Sequence, residues 1–148
     1  KNHLLEKHVK EKGLPLKEGL RETIDYLKEN QYLTAVASSS YREKIELYLE
    51  SAGLKEKFDF LIGGDEVAES KPEPEIFLKG INGLGVSRDE ALVLEDSAHG
   101  IRAAAKAGIR VILIPDLVEH PPEIEDLVYK KLNSLREVKS ELEKMNKN

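Results

Sequence analysis

The chain has 148 residues, 40% of them hydrophobic and 34% charged, with a net charge of −5 and no cysteine. That length holds about one domain with a real core. The acidic balance argues against a nucleic-acid partner, the missing cysteines exclude disulfides, thiolate catalysis and cysteine zinc sites, and no apolar run reaches the roughly 20 residues that span a bilayer.

Residues Lys1 to Lys7 are charged and lack the apolar centre of a signal peptide, so with no targeting signal the expected location is cytoplasmic. Leu4 to about Glu11 reads as a short helix ended by Gly13 and Pro15. Lys17 to Glu29 is amphipathic, with Leu20, Ile24 and Leu27 on one stripe. Tyr32 to Ala37 is apolar and partly β-branched, the pattern of a buried strand. Arg42 to Ala52 carries Ile45, Tyr48, Leu49 and Ala52 on a helical stripe, with Gly53 as its stop. Phe58 to Ile62 is a second strand closed by Gly63 and Gly64, and Pro72 or Pro74 opens a helix that runs to about Asn82.

Ala91 to Leu94 forms the third strand, followed by a helix over Ala98 to Ala107 with Gly108 at its end. Arg110 to Ile114 is the fourth, cut by Pro115. Two helices are predicted to finish the chain, Pro122 to Leu132 and Leu135 to Met145, the latter with Ser134 and Glu137 at the spacing of a capping box. Nearly all-apolar strands alternating with helices imply a parallel sheet covered on both faces. Ligands of such sheets bind beyond the carboxyl ends of the strands.

Three polar motifs stand where apolar segments end: Ala37-Ser38-Ser39-Ser40, Ser70-Lys71-Pro72 and Glu95-Asp96-Ser97. The Ser38 hydroxyl and the backbone N–H groups of Ser39 and Ser40 suit phosphate oxygens, and suit helix capping equally. Lys71 is either a cation that neutralises a phosphoryl group or a solvated surface lysine. Glu95 and Asp96 end an apolar run, where adjacent carboxylates are costly unless a cation offsets them; Mg²⁺ takes such hard oxygen ligands, while Asp96 or Ser97 could instead cap a helix. His3, His8, His99 and His120 show no metal-ligand spacing. Gly63-Gly64-Asp65 lacks the spacing of a dinucleotide fingerprint or P-loop and reads as a turn.

Together with the flanking stretches Ser70-Lys71-Pro72-Glu73-Pro74-Glu75-Ile76-Phe77 and Leu94-Glu95-Asp96-Ser97-Ala98-His99-Gly100-Ile101, these motifs resemble the haloacid dehalogenase-like superfamily. The likeness is to its β-phosphoglucomutase and phosphoglycolate-phosphatase branch. It implies a Rossmann-like three-layer α/β/α core over residues 13–148, with residues 1–12 as the tail of a helical cap. It also implies that Ser38 hydrogen-bonds the phosphoryl group, with Ser39 beside it, that Lys71 balances its charge, and that Glu95 and Asp96 hold Mg²⁺. The implied reaction is transfer of a phosphoryl group from a small phosphorylated metabolite through an aspartyl-phosphate, in a phosphatase or a phosphomutase.

The Asp-x-Asp-Gly-Thr type motif that supplies the aspartate in that family is absent from the 148 residues, as is most of the cap. The resemblance therefore predicts a sheet missing its first central strand, with two unpaired edges between the strands ending at Ala37 and Leu94. It predicts a chain inactive by itself, whose open edges could take a missing N-terminal segment or a partner strand. A phospho-acceptor receiver domain uses similar groups, but there the acids come first in sequence, whereas here they come last.

Overall fold

Apolar strands are driven into a sheet interior because each buries side chains on both faces, and here they share one sheet. The structure is a computed structural model and describes residues 3–6 (by backbone), 19–114 and 119–146. Its strands are β1 (His3–Glu6), β2 (Thr34–Ala37), β3 (Phe60–Ile62), β4 (Ala91–Glu95), β5 (Arg110–Leu113) and β6 (Lys130–Lys131). They lie in the order β3-β2-β1-β4-β5-β6, each paired parallel to its neighbours. Among the described residues the α-helices are α1 (Leu20–Glu29), α2 (Arg42–Ser51), α3 (Glu75–Leu84), α4 (Ala98–Lys106), α5 (Pro122–Glu125) and α6 (Val138–Met145).

Strand alternation sorts the core into two halves. Val36, Leu92, Leu94 and Ile112 join Leu20, Ile24 and Leu27 of α1, Ile45 and Leu49 of α2, and Val138 and Leu142 of α6. On the opposite face, Ala35, Ala37, Val93, Val111 and Leu113 meet Ile76, Phe77 and Ile81 of α3 and Ile101, Ala103 and Ala104 of α4. This is a three-layer α/β/α sandwich, as the alternation of strands and helices predicts. The second half also carries six alanines, Ala35, Ala37 and Ala91 in the strands and Ala103, Ala104 and Ala107 in or at the end of α4.

Several expectations are corrected. The helix predicted from Leu4 begins instead as strand β1, at His3–Glu6; residues 7–11 of that segment, His8, and the start of the next helix at Lys17 lie outside the described residues. The sheet consequently has no missing central strand. β1 fills the slot between β2 and β4, with Leu4 opposite Thr34 and Leu92, and Leu5 opposite Ala35 and Val93. A slot with two ladders satisfies the backbone groups of a short segment from both sides, which outweighs local helix preference. The segment read as a cap tail thus contributes to the sheet, and no pair of open edges is left there for a partner strand.

The helix predicted over Pro122–Leu132 stops at Glu125 and gives way to β6. Its backbone is captured by the sheet: Tyr129 N–H donates to Val111 C=O at 2.7 Å and Leu132 N–H to Leu113 C=O at 2.9 Å. The last predicted helix begins as a 3₁₀ turn over Leu135–Glu137 and becomes α6. Among the described residues, no helix is long and apolar enough to cross a membrane.

Candidate functional site at the carboxyl edge of the sheet

Ser38 follows β2 directly, and its N–H donates to Ile62 C=O at 3.1 Å, continuing the ladder with β3 one step past the strand. The side chain is buried, and its Oγ accepts from Ser40 N–H at 3.1 Å, drawing the Ser38–Ser40 turn tight. Ser39 is exposed at the tip of that turn. The turn is held from below by the loop after β3. Gly64 N–H donates to Ser40 C=O at 2.8 Å, and a β-carbon on Gly64 would lie 2.3 Å from the Ser39 carbonyl oxygen. Only glycine allows that approach.

Helix α2 starts just beyond and is capped from a distance, because Asp65 Oδ1 accepts from Arg42 N–H at 2.9 Å. The Arg42 guanidinium is locked between Glu46 at 3.0 Å and Glu66 at 3.2 Å, and these carboxylates, Glu46 foremost, push its pKa up. Arg42 therefore braces the turn from the helix surface.

Lys71 is no solvated lysine. Only 3% of its side chain is exposed. Its ammonium donates to Ala37 C=O at 3.1 Å, lies 3.4 Å from Glu95 Oε2, and stands 4.9 Å from the centre of the Phe77 ring. Ala37 ends β2 and Glu95 ends β4, so the ammonium bridges the two strands that flank β1. The Lys71–Pro72 peptide bond is cis.

Glu95 is fully buried at its side chain. Its Oε1 accepts from Asp96 N–H at 3.0 Å, Ser97 N–H at 3.1 Å and the Ser97 hydroxyl at 3.1 Å. Ser97 Oγ in turn accepts from Gly100 N–H at 3.0 Å, a side-chain cap on α4. The carboxylate thus faces the positive end of a helix as well as an ammonium. Gly100 makes room for it: a β-carbon there would fall 2.0 Å from Glu95 Oε2.

Asp96 is half-buried beside this cluster. Its carbonyl oxygen lies 2.8 Å from His120 Nε2, which must donate because a carbonyl only accepts. His120 was indistinguishable in sequence from a surface histidine. The one clue was its position after β5, the neighbour of β4. His99, by contrast, is exposed.

Ser38, Lys71, Glu95 and Asp96 therefore meet at one sheet edge, with Ser39 at the rim. Among the described residues no group of three or more His, Cys, Asp and Glu clusters as a ready metal cage. The donor chemistry still fits Mg²⁺, which takes one or two carboxylates and keeps several waters. Of the two predicted ligands, Asp96 is half-buried at this edge, whereas Glu95 already has Oε1 engaged by Asp96 N–H, Ser97 N–H and the Ser97 hydroxyl and Oε2 by Lys71.

A family model described as haloacid dehalogenase-like hydrolase matches residues 2–114. The bifunctional riboflavin kinase/FMN phosphatase of Arabidopsis thaliana is 39% identical over 107 residues, 72% of this chain and 27% of that protein. Hexitol phosphatase B of Escherichia coli O157:H7 is 33% identical over 133 residues, 86% of this chain and 58% of that protein. The crystal structure of CbbY from Rhodobacter sphaeroides in complex with phosphate superposes with a TM-score of 0.76 at 32% identity, covering 83% of this chain and 56% of that one. The chain thus spans little more than half, or less, of each of these proteins.

Proposed function

The chain belongs to the haloacid dehalogenase-like hydrolase family, and from that premise we propose that it carries the phosphoryl-binding edge of a Mg²⁺-dependent phosphatase of small phosphomonoesters, sugar phosphates or phosphoglycolate among them. The observation that carries this reading is the buried Lys71 ammonium, held between Ala37 C=O and Glu95 at the strand ends next to Ser38. A cation kept in place without solvent is preorganised for an anion and needs no reorganisation when one arrives.

In this reading Ser38 donates its hydroxyl to a phosphoryl oxygen, with Ser39 at the rim. Lys71 balances the charge that accumulates there. Asp96 would hold Mg²⁺ at this edge, with Glu95 behind it committed to Lys71, Asp96 N–H and Ser97, and the ion would shield the negative oxygens of the phosphoryl group. Glu95 also fixes the ammonium through Oε2. The motif that carries the acidic nucleophile in that family is not among these 148 residues, so turnover is a property to test in a form that carries it.

Orthophosphate titration with and without Mg²⁺, followed by ³¹P NMR, tests the reading. Saturable binding that Lys71→Met abolishes and Mg²⁺ strengthens supports it. Binding that ignores Lys71, or none at all, overturns it. For a longer form carrying an acidic nucleophile, phosphate release from a sugar phosphate is expected; isomerisation without release would make it a phosphomutase instead.

A further inference from the structure

The loop that delivers Lys71 poses a physical problem. Ala68, Glu69 and Ser70 are exposed, yet the next residue sends its side chain into the interior. An exposed loop has little packing to fix its path, and fixing each backbone residue costs roughly 1–2 kcal/mol of conformational entropy. Something must hold this one.

Glu75, the first residue of α3, reaches back and does so. Its Oε1 accepts from Glu69 N–H at 2.8 Å and from Ala68 N–H at 3.1 Å, and its Oε2 also lies 3.1 Å from Ala68 N. Lys79, one turn along α3, completes the closure: its ammonium lies 3.0 Å from Glu75 Oε2 and donates to Glu66 C=O at 3.0 Å. Within the closed loop Glu73 N–H donates to Ser70 C=O at 3.0 Å, a turn with Lys71 and Pro72 at its centre. The loop is tied at both ends to the helix whose Phe77 ring receives the Lys71 ammonium.

We propose that Glu75 is a positioning residue for Lys71: its carboxylate clasps the backbone N–H groups of Ala68 and Glu69 and so sets where the ammonium stands at the phosphoryl edge. The consequence for phosphate rests on the function proposed above; the control of Lys71 does not. The Glu75 carboxylate is held below the usual range by these backbone donors, Glu69 first, then Ala68, with Lys79 adding to them, so it is charged and fully engaged near neutral pH.

The experiment compares the chain with Glu75→Gln, Glu75→Asp and Glu73→Gln. Glu73 pairs with Lys106 at 3.4 Å, on the same stretch but outside the clasp, and serves as the control. The Lys71 ε-methylene protons should be shifted upfield by the Phe77 ring, which gives a direct NMR marker of where the ammonium sits. Glu75→Gln is expected to move that signal toward the value of a free lysine and to weaken orthophosphate binding about tenfold. Glu75→Asp should recover part of both, and Glu73→Gln should change neither.

A Lys71 signal unmoved in folded Glu75→Gln overturns the proposal, whatever happens to thermal stability. Should Glu75→Gln not fold, hydrogen exchange in the unaltered chain decides. Protected Ala68 and Glu69 amides uphold the clasp and unprotected ones overturn it. Failure of the unaltered chain to bind orthophosphate would sink the phosphoryl reading, while the Lys71 marker would still judge Glu75 separately.

Discussion

Lys71, in the loop after β3, and Glu95, the last residue of β4, stand 24 residues apart in sequence and meet 3.4 Å apart with almost no solvent exposure on either side chain. Removing water from two charges is expensive, and their attraction offsets this only when further hydrogen bonds satisfy both groups. Here they do: Ala37 C=O serves the ammonium, and Asp96 N–H, Ser97 N–H and the Ser97 hydroxyl serve the carboxylate.

Lys71→Met should therefore destabilise the fold by about 3 kcal/mol, because it takes the ammonium away from a buried carboxylate. The double variant Lys71→Met/Glu95→Gln should recover a substantial part of that loss. Urea unfolding of the four proteins in the cycle measures the coupling, and strictly additive losses would refute it.

Gly100→Ala tests the packing around Glu95 through the sign of its effect. Inside an exposed helix, alanine in place of glycine stabilises by up to about 1 kcal/mol. At Gly100 the new methyl would press on the Glu95 carboxylate, so a loss of about 1–3 kcal/mol is expected instead. The midpoint of urea unfolding decides between the two signs.

Ser97→Ala removes both the α4 cap to Gly100 N–H and a donor to Glu95 Oε1. A loss of about 1–2 kcal/mol is expected. Ser97→Thr keeps a hydroxyl and should lose less; equal losses by thermal unfolding would show that the cap contributes little.

Acid should release the Glu75 clasp. A carboxylate whose pKa is lower folded than unfolded adds stability that is full above the unfolded value. That stability is lost as pH falls through the lower folded value, where Glu75 takes up a proton. The chain should therefore lose this contribution on acidification below the usual carboxylate range, and Glu75→Gln should flatten that part of the profile. Unfolding midpoints across mildly to strongly acidic pH, compared between the two proteins, provide the check.

Much of this architecture can be read from residue patterns. Thr34–Ala37, Ala91–Glu95 and Arg110–Leu113 are strands because their apolar runs bury both faces, and Gly85 ends α3 in the left-handed conformation that favours glycine. The elements that escape are those whose partners lie elsewhere. His3–Glu6 is too short to show either periodicity, and its two ladders, not its composition, make it a strand. Lys130–Lys131 is polar and exposed, and becomes β6 only because β5 offers it an edge. At the site, the meeting of Ser38, Lys71, Glu95 and Asp96 follows from the parallel topology. The burial of Lys71 and the reach of Glu75 do not: a first-turn glutamate reads as a favourable helix charge, and only the folded loop reveals what it binds.

The small residues behind the site give its spacing mechanical stiffness. The Lys71 loop runs into α3 and Glu95 runs into α4, and both helices rest on the same half of the core, where Ala35, Ala37, Ala103, Ala104 and Ala107 leave little slack. On the opposite half, built from Leu20, Leu27, Leu49, Leu92 and Leu94, trimming a side chain opens a cavity. On the alanine half, enlarging one drives two helices apart. The ruler that spaces Lys71 from Glu95 is thus guarded against growth at those alanines as well as against loss at Phe77 and Ile101 on the same half.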